Sequence, residues 1–244
     1  VEDGLIIIKT AVRTRKNFLR YCADPKPLGC DFTVFYSPDH NGGGPLMIQE
    51  TFSKQEFLEE HKDCKSVLEV CSGPGFIGWY LYNKLNLDFV NFLDIFPPVE
   101  DDIIKTAEYN KVPESNYNFY LSDGFSKYKG DKVDLIVMNP PFYYKEEQFE
   151  NHMSYLNVPE HRREHDARIT FDPDLKLHKN LIANFEQHLT DNGRIVFLED
   201  IRFMLPEVIT SRVNPVLKYD FKQYNYSGKE PDYYTLTYYK NEKM

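Results

Sequence analysis

Apolar positions fall in short runs from Ser66 onward, and each run is followed by a polar or helical stretch. Ser66–Cys71 (SVLEVC), Asp88–Ile95 (DFVNFLDI), Asn118–Leu121 and Val133–Met138 (VDLIVM) read as buried strands. Ile77, Leu81 and Leu85 share one face of an intervening helix. Pro97-Pro98, with Glu100, Asp101 and Asp102 behind it, reads as another helix start. Leu177, Leu181, Phe185 and Leu189 form a further helical stripe, which Asp191-Asn192-Gly193 should end. Arg194–Leu198 (RIVFL) then gives a fifth strand. Val216–Tyr224 and Tyr233–Tyr239, separated by Ser227-Gly228-Lys229-Glu230-Pro231, read as an antiparallel hairpin. This alternation predicts a doubly wound, Rossmann-like α/β fold whose mostly parallel sheet closes on an antiparallel hairpin. Residues 1–60 are mixed in pattern and read as an N-terminal cap or substrate-recognition extension, with the main domain at 61–244. Within the cap, Leu5–Ile8 is a short apolar run and Asp39–Pro45 a loop signal.

Composition narrows the partners. The 244 residues are 41% hydrophobic and 27% charged, ordinary for a globular chain. A net charge of -9 makes free duplex DNA a poor partner, because phosphate binding needs a basic face. Lys9–Arg20 is the best candidate for a basic patch, and a solvated helix face is the better explanation of it. Cys22, Cys30, Cys64 and Cys71 show no metal-ligand spacing, and a reduced, cytoplasmic setting fits. No apolar run is long enough to span a bilayer. Oligomeric state is open.

The first strand runs into Glu69-Val70-Cys71-Ser72-Gly73-Pro74-Gly75-Phe76-Ile77-Gly78. Its glycine spacing fits a nucleotide-binding turn, and also an ordinary tight turn. Asp94 ends the second strand about 20 residues on, where an acid can take both hydroxyls of a ribose. Asp123, in Ser122-Asp123-Gly124, is placed to accept from an adenine amino group. Ile95 follows Asp94 at the same edge. The fourth strand runs into Asn139-Pro140-Pro141-Phe142-Tyr143-Tyr144. Prolines stiffen this loop. The Asn139 side-chain carbonyl and the Pro140 backbone carbonyl can accept from one NH2 group, and Phe142 can stack on a planar substrate. A rigid connecting loop is the structural alternative.

These features resemble the class I S-adenosylmethionine-dependent methyltransferases that bear an N-P-P-[FY] catalytic motif. That group includes release-factor glutamine, small-domain ribosomal RNA and adenine-N6 methyltransferases. The resemblance covers roughly residues 60–200 and implies a seven-stranded sheet with S-adenosylmethionine as cofactor. It assigns Asn139, Pro140, Pro141 and Phe142 to catalysis. It assigns Glu69, Cys71, Ser72, Gly73, Pro74, Gly75, Asp94, Ile95, Ser122, Asp123 and Gly124 to the cofactor. Cys71 departs from the family, standing where a first glycine is common, and Pro74 stiffens the turn. The reaction implied is N-methylation of a planar amino or amide nitrogen on a protein side chain or small molecule.

Three alternatives stay open. They are a ribosomal RNA base methyltransferase, a cofactor-binding subunit of a partner complex, and a zinc hydrolase using His161-Arg162-Arg163-Glu164-His165. No metal is expected on the main reading. Tyr143, Tyr144, His161, Arg162, His165 and Glu199 are the candidate substrate contacts, and His152, Tyr155 and Arg163 belong to the same segment. A solvated linker explains that segment as well. Capping explains Asp172 without any function, and Glu199-Asp200 serves either as a substrate contact or as a turn cap.

Overall fold

A computed structural model describes residues 12–13, 19–23, 30–37, 48–155, 157–158, 160–213, 217–224 and 233–243. The Leu5–Ile8 run, the Asp39–Pro45 loop signal, most of the Lys9–Arg20 stretch and the Ser227–Pro231 turn lie outside them.

The strands are β1 (Val12–Arg13), β2 (Leu19–Ala23), β3 (Val34–Tyr36), β4 (Ser66–Val70), β5 (Phe89–Asp94), β6 (Tyr117–Leu121), β7 (Val133–Met138), β8 (Leu189–Asp200), β9 (Leu217–Lys222) and β10 (Tyr233–Lys243). The helices are α1 (Gln55–Glu60), α2 (Phe76–Lys84), α3 (Val99–Asn110), α4 (Glu146–Tyr155), α5 (Glu160–Thr170), α6 (Lys176–Asn184) and α7 (Pro206–Arg212). Seven strands form the main sheet in the order β6-β5-β4-β7-β8-β10-β9. The first five of these pair in parallel, and β10 runs antiparallel to both β8 and β9. The expected mostly parallel sheet and terminal hairpin are both present.

Period-two alternation divides the sheet between two apolar layers. Val67, Leu135, Val137, Val196 and Leu198 face the layer that holds α2 and α3. Leu68, Ile136, Met138, Ile195 and Phe197 face the opposite layer, with α6 and α7. Helices on both faces are what a parallel sheet requires, since neither face can stay wet.

Strand order reverses at β4, which has β5 on one side and β7 on the other. Ligands of open α/β sheets bind at such a switch point, beyond the carboxyl ends of the strands. Register sets what meets there. Val70 pairs with Leu93 and with Met138, so Cys71, Asp94 and Asn139 leave the sheet side by side.

The helical stripe ends earlier than its pattern predicts. Helix α6 stops at Asn184, Phe185–His188 form a 3-10 turn, and Leu189 opens β8. Asp191-Asn192-Gly193 is not a helix terminus but part of an irregularity in β8. Val133 pairs with Leu189 and Leu135 with Arg194, so the intervening residues bulge opposite Asp134. The bulge is fastened by Thr190 Oγ1 donating to Asp134 at 2.9 Å and Lys240 Nζ donating to Asp191 at 2.9 Å. Leu189 is fully buried, which satisfies the helical and the strand pattern alike.

The segment before the main sheet docks on α3. The backbone N–H groups of Thr33, Phe35 and Ser37 donate to Asn110, Thr106 and Asp102 at 2.9, 2.9 and 3.1 Å. Four helix residues rise about 6 Å. Two strand residues advance about 6.6 Å. Acceptors spaced by four on the helix therefore keep step with donors spaced by two on the strand. Phe32, stacked on Trp79 at 5.5 Å, joins this segment to the core around α2.

Among the described residues no helix is long and apolar enough to cross a membrane.

Candidate functional site

The turn after β4 is built by unlike glycines. Gly73 has φ +48 and lies on the wall of a cleft. Gly75 has φ +81 and faces inward, where a Cβ would stand 2.7 Å from both Phe92 and Ile103 and 2.9 Å from Trp79. Gly75 was expected to contact cofactor. It is instead the left-handed residue that turns the chain into α2, and it is not on the cleft wall. Cys71 carries φ +55, so it holds the left-handed conformation that a glycine would adopt more cheaply. Burial and the nearby acids hold its thiol well above the usual thiol range.

Glu69 is buried behind this turn, and its carboxylate accepts the Gly78 N–H at 2.7 Å and the Ile77 N–H at 3.3 Å. These donors belong to the first turn of α2 and have no helical partner of their own. Burial pushes the Glu69 carboxyl up to about 8, against the pull of the two N–H groups.

Asp94, half-buried at the tip of β5, accepts the Gly73 N–H at 2.7 Å and the Phe96 N–H at 2.9 Å. Both bonds orient the carboxylate at the mouth of the cleft, which it lines. Ile95 beside it is 59% exposed, an apolar surface at the cleft edge. On the next strand Ser122 donates its N–H to the Asp94 carbonyl at 2.8 Å. Its hydroxyl accepts from Lys127 N–H at 3.0 Å and donates to the Gly124 carbonyl at 2.7 Å, which holds Asp123 out on an exposed loop.

Across the switch point, Asn139, Pro140, Pro141, Phe142 and Tyr143 line the same cleft. The loop is clamped by its continuation. Tyr143 donates its N–H to the Thr170 carbonyl at 2.9 Å, and its carbonyl accepts the Asp172 N–H at 2.7 Å. Phe142 stacks on Phe203, with centroids 5.2 Å apart. The α4–α5 pair packs on Tyr143 through Phe149 and Met153, joined by Phe171 just past the end of α5. It adds His152, Arg168, Ile169 and Thr170 to the wall. At the end of β8 the Asp200 carboxylate accepts Arg202 Nε at 2.8 Å and a second guanidinium nitrogen at 2.5 Å, and both residues face the cleft.

The cleft encloses about 1360 Å³. Besides the residues already placed, Glu69, Cys71, Ser72, Pro74, Ser122, Asp123 and Gly124 line it. Tyr144 does not: it is buried in the core under Lys145 and Arg212. Nor does Glu199, which is fully buried against His178. His161, Arg162 and His165 fall in α5, and their side chains lie outside the described residues. Among the described residues no group of three or more His, Cys, Asp and Glu side chains is arranged to hold a metal ion.

Sequence reasoning missed one wall. Lys176, Lys179, Asn180 and Gln187 line the cleft from one face of α6 and the turn after it. Their helical spacing opposite Leu181 was a usable signal. Asp200 rather than Glu199 faces the cleft, and strand alternation separates those two.

Residues 40–157 match the family model described as the methyltransferase small domain. The chain is 27% identical over 156 residues to the ribosomal protein uL3 glutamine methyltransferase of Francisella tularensis, covering 62% of this chain and 45% of that protein. It is 30% identical over 155 residues to the release factor glutamine methyltransferase of Fusobacterium nucleatum, covering 62% and 40%. It thus spans less than half the length of these curated relatives. Among solved structures, the Thermus thermophilus 16S rRNA N2 G1207 methyltransferase aligns over 92% of this chain and 51% of its own, at 16% identity and TM-score 0.59. These matches bear out the resemblance to class I S-adenosylmethionine-dependent methyltransferases.

Proposed function

We propose that this chain binds S-adenosylmethionine in the switch-point cleft and directs its methyl group to a planar amino or amide nitrogen, in first place on a protein side chain. The observation that carries this reading is the convergence of Gly73, Asp94, Asp123 and Asn139 on one cleft from four consecutive parallel strands.

The residues present fit that cofactor. Asp94, at the end of β5 on the cleft wall, is the acid that would take the two ribose hydroxyls. Asp123 is exposed at the neighbouring loop to accept an adenine amino group, with Ile95 as an apolar surface beside it. Ser72, Gly73 and Pro74 bring backbone to the cleft without bulky side chains. When bound, the sulfonium supplies an electrophilic methyl group.

Asn139 and Pro140 hold the acceptor. Their carbonyls accept the hydrogens of one NH2 group, which turns its lone pair toward the methyl group. As the nitrogen gains positive charge, the same carbonyl dipoles stabilise it. Phe142, braced by Phe203, supplies a flat apolar wall for the planar group. No strong base is required before transfer, because the nitrogen becomes acidic once it is methylated. The protein-side-chain preference rests on the two glutamine methyltransferase relatives and on the net charge of -9.

A ribosomal RNA base is the second reading, favoured by Arg168, Lys176, Lys179 and Arg202 on the cleft wall. Incubation with methyl-tritiated S-adenosylmethionine and, separately, bacterial release factor, ribosomal protein and ribosomal RNA decides between them. Label in protein, recovered as a methylated amide, is expected. Label in RNA alone overturns the acceptor class.

A further inference from the structure

Beneath the cleft lies a chain of three buried ionisable groups. His178, in α6, is fully buried. Its Nδ1 stands 2.7 Å from Asp172 Oδ2, and its Nε2 stands 2.9 Å from Glu199 Oε1. Both ring nitrogens therefore face carboxylate oxygens, and both can donate only when the ring is protonated. Asp172 is itself 3% exposed and also accepts the N–H groups of Leu177 at 2.8 Å and His178 at 3.2 Å.

Each member belongs to a different part of the site. Glu199 is at the carboxyl end of β8, next to Asp200 on the cleft wall. His178 stands on the helix that forms another wall. Asp172 donates its backbone N–H to the Tyr143 carbonyl, one residue past Phe142. A continuous path of short polar contacts therefore runs from the end of β8, through α6, to the loop of Asn139.

We propose that the buried Glu199–His178–Asp172 chain positions the Asn139–Phe142 loop against β8, so that it governs alignment of the methyl-transfer site and not the hold on the cofactor. The proposal rests on the reading of Asn139 as the residue that faces the transferred group. His178 is a positioning residue in this arrangement.

Stability alone is a poor reason for such a chain. Burying charges costs more than an apolar replacement of the same shape in many proteins. Glu199 Oε2 also has no hydrogen-bond partner among the described residues, a cost that an apolar core would avoid. What three buried ionisable groups supply instead is direction, since hydrogen bonds fix the distance and angle of their partners more tightly than apolar packing does. The charge state supports it. Burial pulls the His178 ring down, but Glu199 and Asp172 more than offset this and push it up to about 9. Asp200, Tyr234 and Tyr238 act on Glu199 and Cys71 on Asp172, while Lys176 and Lys179 on the same helix as His178 line the cleft wall. The four groups that act on the two carboxylates are all acids.

The test compares two ligands on the full chain by calorimetry. One is S-adenosylhomocysteine. The other is sinefungin, the analogue that carries an amine where the transferable methyl group would stand. Wild type should bind sinefungin more tightly, because the amine can meet the Asn139 and Pro140 carbonyls. His178→Gln should leave S-adenosylhomocysteine affinity within about twofold. It should reduce the sinefungin advantage about tenfold, or about 1.4 kcal/mol. Glu199→Gln, which keeps shape and one acceptor, should act in the same direction by about threefold and serves if His178→Gln does not fold. Equal weakening of both ligands, an unchanged ratio, or no sinefungin advantage in wild type overturns the positioning role. Failure of wild type to bind either ligand is a different result, and it overturns the cofactor reading as well.

Discussion

Glu69 Oε2 accepts the Gly78 N–H at 2.7 Å from a carboxylate that is almost wholly buried. The bond closes the β4–α2 turn from behind, and a Cβ at residue 78 would stand 2.7 Å from the same oxygen. Glu69→Ala leaves the Ile77 and Gly78 N–H groups without their acceptor and should cost about 2 kcal/mol in urea unfolding. The wild-type carboxyl keeps its proton up to about 8, whereas the unfolded chain releases it near the ordinary carboxyl value of 4.5. Its contribution is therefore whole below 4.5 and lost as pH rises through 8. Glu69→Gln should remove that slope, and an unaltered pH profile would contradict it.

Gly75→Ala should be more damaging than any other single methyl added to the turn. The added Cβ meets three side chains at under 3.0 Å and sits at φ +81. A cost of about 3 kcal/mol is expected, from the strained backbone and the overpacked core together. The readout is the urea midpoint, and a shift of less than about 0.5 kcal/mol would mean the turn is not built this way.

His178 makes a second contribution that depends on pH. Its pKa is raised from 6.5 to about 9 in the folded chain. The stabilisation is fully present below 6.5 and disappears as pH rises through 9, the sign expected for a base that gains acidic partners. It amounts at most to about 3 kcal/mol. Unfolding of wild type and His178→Gln at about pH 6 and about pH 9.5 checks it. The gap between the two proteins should narrow at the higher pH. Ring nitrogen resonances should show both His178 nitrogens protonated at about pH 7.

Much of this site is legible in the amino-acid sequence, for a physical reason. Strand alternation and the βα order fix which strand ends lie together, and Asp94, Asp123 and Asn139 each stand at a strand end or within two residues of one. What the sequence hides is direction within a turn and choice between equal patterns. Gly73 and Gly75 are two residues apart, yet one faces the cleft and the other Phe92. Leu189 satisfies a helical stripe and a strand equally, and its pairing with Val133, with the Asp134 and Lys240 contacts beside it, decides for the strand. The docking of β3 on Asp102, Thr106 and Asn110 joins segments far apart in the chain, and no local pattern announces it.

Asn139 lines the cleft from the end of β7, a different strand end from those that carry Gly73 and Asp94. Asn139→Ala should therefore leave S-adenosylhomocysteine affinity within about threefold, and reduce methyl transfer to the labelled acceptor by about 100-fold or more. Equal loss of both would make the loop structural.

Calorimetric titration of the chain with S-adenosylhomocysteine, beside Asp94→Ala, tests the central claim most directly. Binding at one site per chain is predicted. The variant should bind about 30-fold more weakly, or about 2 kcal/mol, from the lost ribose and Gly73 contacts. No binding by wild type, or equal binding by both proteins, would contradict the account.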